Sequence, residues 1–139
     1  MIDIVINYWA VLVSGVAQMA LGSLWWSPMM FGKSWMKLSG LNEAVVKATS
    51  RSKMVRLYTV NLASALLMAY VLAHFVAYTN STTVFTGART GFWIWLGFIF
   101  TTTLGDYLFS GRSLKLHAIN YGFYLIGLVG MGMILAVWH

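Results

Sequence analysis

The side chains in this sequence that could do chemistry fall into three small groups. Asp106 is the one acid close to a long apolar run. A carboxylate there is either a proton or cation site, or an interfacial acid paired with Arg112 or Lys115. His74 is the one histidine inside an apolar run, and Tyr70 and Tyr78 share its helical face at four-residue spacing. Histidine titrates near neutral pH and tyrosine can hydrogen-bond it. The trio therefore reads either as a proton-sensitive site or as a packed histidine satisfied by a hydroxyl or a carbonyl. Gln18, Asn61 and Asn120 are amides in three separate apolar runs. They line a polar path or tie helices together by hydrogen bonds.

Missing groups narrow the chemistry further. The chain has no cysteine and only three acids, Asp3, Glu43 and Asp106. His117 is expected at the membrane face opposite His74, and His139 is the last residue, so no metal site is expected. No glycine-rich phosphate loop, carboxylate pair or Ser-His-Asp set can be found. Catalysis is not expected, and no cofactor is expected.

The elements that position these groups follow from composition. Of 139 residues, 60% are hydrophobic and 9% charged, and the mean hydropathy is +0.76. A soluble domain is about 45–50% apolar and about 25% charged, and one this small leaves much of its surface exposed. The chain is read as an integral membrane protein, not a disordered chain, a disulfide scaffold or a nucleic-acid binder, despite its net charge of +6.

A spanning helix needs about 20 mostly apolar residues. Four stretches qualify, at about 4–26, 57–78, 91–109 and 117–138, in a single membrane domain covering 1–139. The expected fold is an all-α four-helix bundle. The opening Met-Ile-Asp lacks the positive charge of a signal peptide, so the first span is expected to be retained. Six of the nine basic residues lie in the connection 27–56, and Arg112 and Lys115 lie in the connection between spans three and four. The positive-inside rule puts both connections in the cytoplasm and both termini outside, in a cell inner membrane.

Within the first connection, Ser27-Pro28 reads as the start of a short amphipathic helix over 28–38, ended by Ser39-Gly40. Its Phe31, Lys33, Trp35 and Lys37, with Trp25 and Trp26 before them, are expected at the headgroup level, in contact with membrane lipid. Folding under the bundle as a plug is the alternative. Asn42 caps a second polar helix that runs toward span two. The connection 79–90 reads as a plain loop.

Helices in lipid associate through small residues. Span two offers Ala65, Ala69 and Ala73; span three offers Gly97 and Gly105 around Thr101; span four offers Gly122, Gly127, Gly130 and Gly132. Four short helices enclose little interior, which favours a homo-oligomer. A weak internal match joins Leu21–Ser27 to Leu104–Ser110, and Gly32–Leu38 to the stretch from Gly111 to Leu116. It suggests a duplicated two-span hairpin, with both copies in the same orientation.

The run Leu-Gly-Ser-Leu-Trp-Trp-Ser-Pro-Met-Met-Phe-Gly-Lys-Ser-Trp-Met-Lys-Leu-Ser-Gly, residues 21–40, resembles the signature of the domain of unknown function 1761 family. Trp95-Leu96-Gly97-Phe98 with Thr101-Thr102 is similar to that family's third span, and Gly111-Arg112 with Ile119-Asn120-Tyr121-Gly122 to its later segment. The resemblance implies a small, mostly bacterial, four-span membrane protein and implies no activity. The residues themselves suggest a small oligomeric transporter- or channel-like component. A non-transporting protein that binds lipid or a partner through its aromatic, basic segment is the alternative.

Overall fold

Asn7 starts the first span by accepting the Trp9 and Ala10 amide hydrogens at 3.0 and 3.3 Å. Helix α1 then runs Tyr8–Trp25. It is followed by α2 (Gly32–Ser39), α3 (Glu43–Lys47) and α4 (Arg51–Tyr78). The third span is one rod in three parts: α5 (Val84–Ile94), a π-helical stretch (Trp95–Phe100) and α6 (Thr101–Ser110). Helix α7 covers Leu114–Val137. The structure is a computed structural model that describes residues 3–139. Met1 and Ile2, part of the opening that lacks a positive side chain, lie outside the described residues.

Four of these helices are long and apolar enough to cross a membrane, and no strand occurs among the described residues. The protein is an all-α, multi-pass membrane bundle. Several boundaries differ from those expected. Ser27-Pro28 does not open α2. The Ser27 hydroxyl instead donates back to the Leu24 carbonyl at 2.7 Å, closing α1, and tight turns carry the chain to Gly32. A Cβ at Gly32 would collide with the Trp26 and Ser27 backbone, so this reversal needs glycine. Helix α2 ends at Gly40 in the left-handed region (φ 76°). The helix capped by Asn42 stops at Lys47, and Ser50 caps α4 afresh. The expected loop 79–90 is mostly helix. A reciprocal capping box between Thr83 and Thr86 starts α5 at Val84. Ser81 ties the turn down by hydroxyl contacts to Thr79 at 2.8 Å and Thr90 at 2.9 Å.

Helix α7 is the hub. It packs against α1, α4 and α5, while α1 pairs with α4. The closest pairings, α1 with α4 and α5 with α7, are the two sequential hairpins. Their cytoplasm-facing ends, in the expected orientation, differ: α2 and α3 follow α1, whereas only Gly111 to Ser113 follow α6.

Small residues set these contacts, but not all at the expected positions. Ala65, Ala69 and Ala73 are buried between α4 and its neighbours. On span three the close approach comes from Gly87 and Gly91. A Cβ there would collide with the Gly132 and Leu128 carbonyls of α7. Gly97, Gly105 and Gly130, expected to pack, face open space: span three has turned away from α7 by the time it reaches Gly97 and Gly105, and Gly130 of α7 meets no neighbouring helix. Gly122 lies beneath the Trp25 ring, and Gly127 beneath the Gln18 amide.

Candidate functional site

The π-helical stretch is where span three changes its relation to α7. A wider backbone ladder leaves carbonyls poorly matched to the α-helix that follows. The threonine run answers this locally: Thr101 and Thr102 donate to the Gly97 and Phe98 carbonyls, both at 2.6 Å, and Thr103 donates to the Ile99 carbonyl at 2.5 Å. Two longer bonds then fix the rod to α7. The Trp95 indole donates to the Tyr121 carbonyl at 3.0 Å, and the Tyr121 hydroxyl donates to the Thr103 carbonyl at 2.8 Å. Beyond this clamp, α6 has no buried residue.

The space so opened is a cavity of about 360 Å³ at the end of the bundle that carries the basic connections. Its polar lining includes Asp106, Arg112, His117 and Asn120, and its aromatic lining is Trp26, Trp35, Tyr121 and Tyr124. His117 is buried (5% exposed). Its ring sits between Tyr107 and Tyr121, at centroid distances of 5.2 and 5.6 Å, with Nε2 3.5 Å from the Ser110 hydroxyl. Asp106 and Arg112 share this cavity. The expected ion pair does not form: among the described residues, no basic nitrogen lies within 4.0 Å of the Asp106 carboxylate.

A second cavity, of about 420 Å³, adjoins the first, and Trp26 and Trp35 line both. Its other walls are Pro28, Gly32, Met36, Val46 and Lys47, so it is mostly apolar with one cation. Helix α2 forms the partition. It packs against α7, and Trp35 is half-buried rather than free in the headgroup plane. Trp25 is fixed by an indole bond to the Ile119 carbonyl at 3.0 Å and stacks near Phe31, at 4.8 Å. Lys33 and Lys37 are exposed. The Trp26 indole nitrogen is buried and has no hydrogen-bond partner.

The remaining polar residues lie elsewhere. Tyr70, His74 and Tyr78 are on one face, but that face looks outward: Tyr70 and Tyr78 are exposed, and Tyr8 stacks on Tyr70 at 6.4 Å. His74 Nδ1 lies 2.9 Å from the Tyr70 carbonyl of its own helix. Gln18 and Asn61 border a cavity of about 30 Å³, the size of one water, in mid-bundle. The Gln18 carbonyl oxygen is buried without a partner, as is the Ser14 hydroxyl one turn earlier on α1, while the Asn61 amide points to the Met19 sulfur at 3.1 Å. Of the expected polar residues, the large cavity therefore gathers Asp106 and Asn120, and adds His117, Arg112, Tyr121 and Tyr124.

His117 and its companions carried a readable signal. His117 and Tyr121, like Asn120 and Tyr124, stand four residues apart on one helical face. Among the described residues, no three His, Asp or Glu side chains gather as a metal ion would require.

No curated protein and no solved structure matches the chain. A family model described as "Protein of unknown function (DUF1761)" matches residues 9–136, the signature run and the chamber's polar wall included, so the chain belongs to the DUF1761 family.

Proposed function

We propose that this protein binds an amphipathic lipid at the cytoplasmic end of its bundle, as a non-catalytic binding protein of the inner membrane. One observation carries the reading: a polar and an apolar cavity share Trp26 and Trp35 as a common wall. A ligand with a polar head and an apolar tail matches that pairing. Together the cavities fall in the size range of small-molecule sites, roughly 300–1,000 Å³. Tryptophan suits the seam because its ring is apolar and its N–H is polar.

The transporter- or channel-like reading needs a polar route through the bundle. The polar side chains instead divide among an outward face, a cavity of about 210 Å³ beside Asn7 and Ser81 at the opposite end, a water-sized void and the chamber. Above the chamber the core is Leu72, Leu128, Met131 and Leu135, all buried. Helix α2 acts as the floor of a dead-ended chamber under this reading. Self-association, if the chain uses it, has the outward stripe of Gly97, Thr101 and Gly105 available.

The test is lipid retention. Protein extracted in mild detergent from vesicles should carry phospholipid at a fixed ratio, and Trp35→Ala should lower that ratio severalfold without unfolding the bundle. Retention no higher than that of an unrelated four-span protein would defeat the reading. Orientation is checked by single cysteines at Ser50 and Thr82, both exposed and at opposite ends of α4. Ser50 should label only from the cytoplasmic side. Labelling of Ser50 in intact cells by an impermeant reagent would invert the assignment.

A further inference from the structure

We propose that the chamber selects a phospholipid whose headgroup carries both a phosphate and a primary ammonium. The inference rests on the lipid-binding reading above and names the class of lipid.

Charge is the first argument. Asp106 and Arg112 line one cavity without pairing to each other. Each therefore keeps its charge available to a ligand. An anionic headgroup without an ammonium would meet Arg112 but leave the Asp106 carboxylate without a counter-charge. A purely cationic ligand would have the converse conflict with Arg112. A zwitterion answers both, with phosphate toward Arg112 and ammonium toward Asp106.

The aromatic walls are the second argument. Trp26, Trp35, Tyr121 and Tyr124 surround the same space as the single carboxylate. Ring faces attract an ammonium group, most strongly where water is excluded. An acid within an aromatic wall is thus a site for an organic cation. It prefers one that still carries N–H bonds, because those can donate to the carboxylate.

The third argument is the place of Trp26. Trp26 stands at the seam of the two cavities. That is where the oxygen-rich glycerol and ester region of a phospholipid would lie, if its head filled one cavity and a chain the other. Met36, Val46 and Pro28 then receive the chain.

The experiment uses the full-length protein in vesicles of phosphatidylethanolamine, phosphatidylglycerol and phosphatidylcholine in equal parts, with identical chains. After extraction into mild detergent, the retained lipids are quantified by mass spectrometry. Phosphatidylethanolamine should exceed either competitor by roughly tenfold, the worth of one charge-assisted hydrogen bond. Asp106→Asn should bring the three lipids to near parity, and Asp106→Glu should restore the preference. Arg112→Gln should lower retention of all three. Both residues are exposed at the cavity mouth, and the elution volume of each variant verifies its fold. Soluble glycerophosphoethanolamine should fail to displace the retained lipid; displacement would point to a free metabolite and overturn the lipid assignment. Equal retention of all three lipids by the unmodified protein, or a preference untouched by Asp106→Asn, overturns the headgroup inference while lipid binding stands. Retention at background overturns both.

Discussion

The two halves of the third span meet α7 in opposite ways. Along α5, Gly87 and Gly91 bring backbone against backbone, and Thr90 and Gly91 are buried. Along the π-helical stretch and α6 no residue is buried, Gly97 and Gly105 face open space, and a cavity separates α6 from α7. The same rod is therefore a packing element at one end and a chamber wall at the other. The difference lies in what the intervening turn does. A π-helical stretch rotates the faces that follow it, so a stripe in register with α7 above the turn is out of register below. Glycine alone does not decide helix contact in lipid; register does.

The largest effect should come from removing the close half. Gly91→Leu places a side chain where the Leu128 backbone already stands, and a backbone atom cannot step aside as a side-chain tip can. Overpacking costs about 1–3 kcal/mol and occasionally more. With backbone as the obstacle, a loss of about 3 kcal/mol is expected. It would be read from unfolding in mixed micelles by circular dichroism. A stable Gly91→Leu protein would mean that α5 and α7 are less tightly joined than their geometry requires.

This contrast also marks what could be read from residue order. The four spans were legible because lipid demands long apolar helices whatever their packing. So were Ala65, Ala69 and Ala73, since a small-residue stripe within one regular helix keeps its register. Span three is not, because a stripe spaced for a regular α-helix loses its register across the π-helical Trp95–Phe100. Thr101, Thr102 and Thr103 were the available sign of an irregular ladder. Gly87 was missed for another reason. Thr82 and Thr83 made the stretch before it resemble a loop, although Thr83 with Thr86 forms a cap. In the chamber, Asp106 and Asn120 were legible as rare polar residues near apolar runs. His117 is harder to read, because residue order relates it to His74 only by placing the two at opposite membrane faces. Its true neighbours, Tyr107, Ser110 and Tyr121, are brought to it by the α6–α7 turn at Gly111 (φ 68°).

A middle-sized effect should come from the clamp between the two halves. Tyr121→Phe keeps the ring near His117 and Phe100 but loses the bond to the Thr103 carbonyl. One such hydrogen bond is worth about 1 kcal/mol. The loss falls on α6, whose other ties to α7 are few. Spin labels at Leu108 and Ala118, both exposed, should show a broader distance distribution in Tyr121→Phe than in the parent. An unchanged distribution would mean that α6 is held by the threonine back-bonds and Trp95 without help from Tyr121.

The smallest effect on the single chain should come from the open half. Gly97→Leu with Gly105→Leu adds large side chains where nothing lies within 4 Å. Each change also removes a helix-interior glycine, worth up to about 1 kcal/mol in favour of the helix. The fold should therefore be unharmed or slightly stabilised, in direct contrast to Gly91→Leu. The same pair decides whether the outward stripe meets lipid or a second copy of the chain. Close contact between copies through Gly97, Thr101 and Gly105 would be pushed apart by leucine, so the oligomer would dissociate while each chain stayed folded. Sedimentation in density-matched detergent separates the cases. A mass unchanged by the double substitution assigns the stripe to lipid, and a mass falling to that of one chain assigns it to self-association. A loss of fold in the double variant would break the comparison itself, because α6 would then have to lie against α7 more closely than its open face allows.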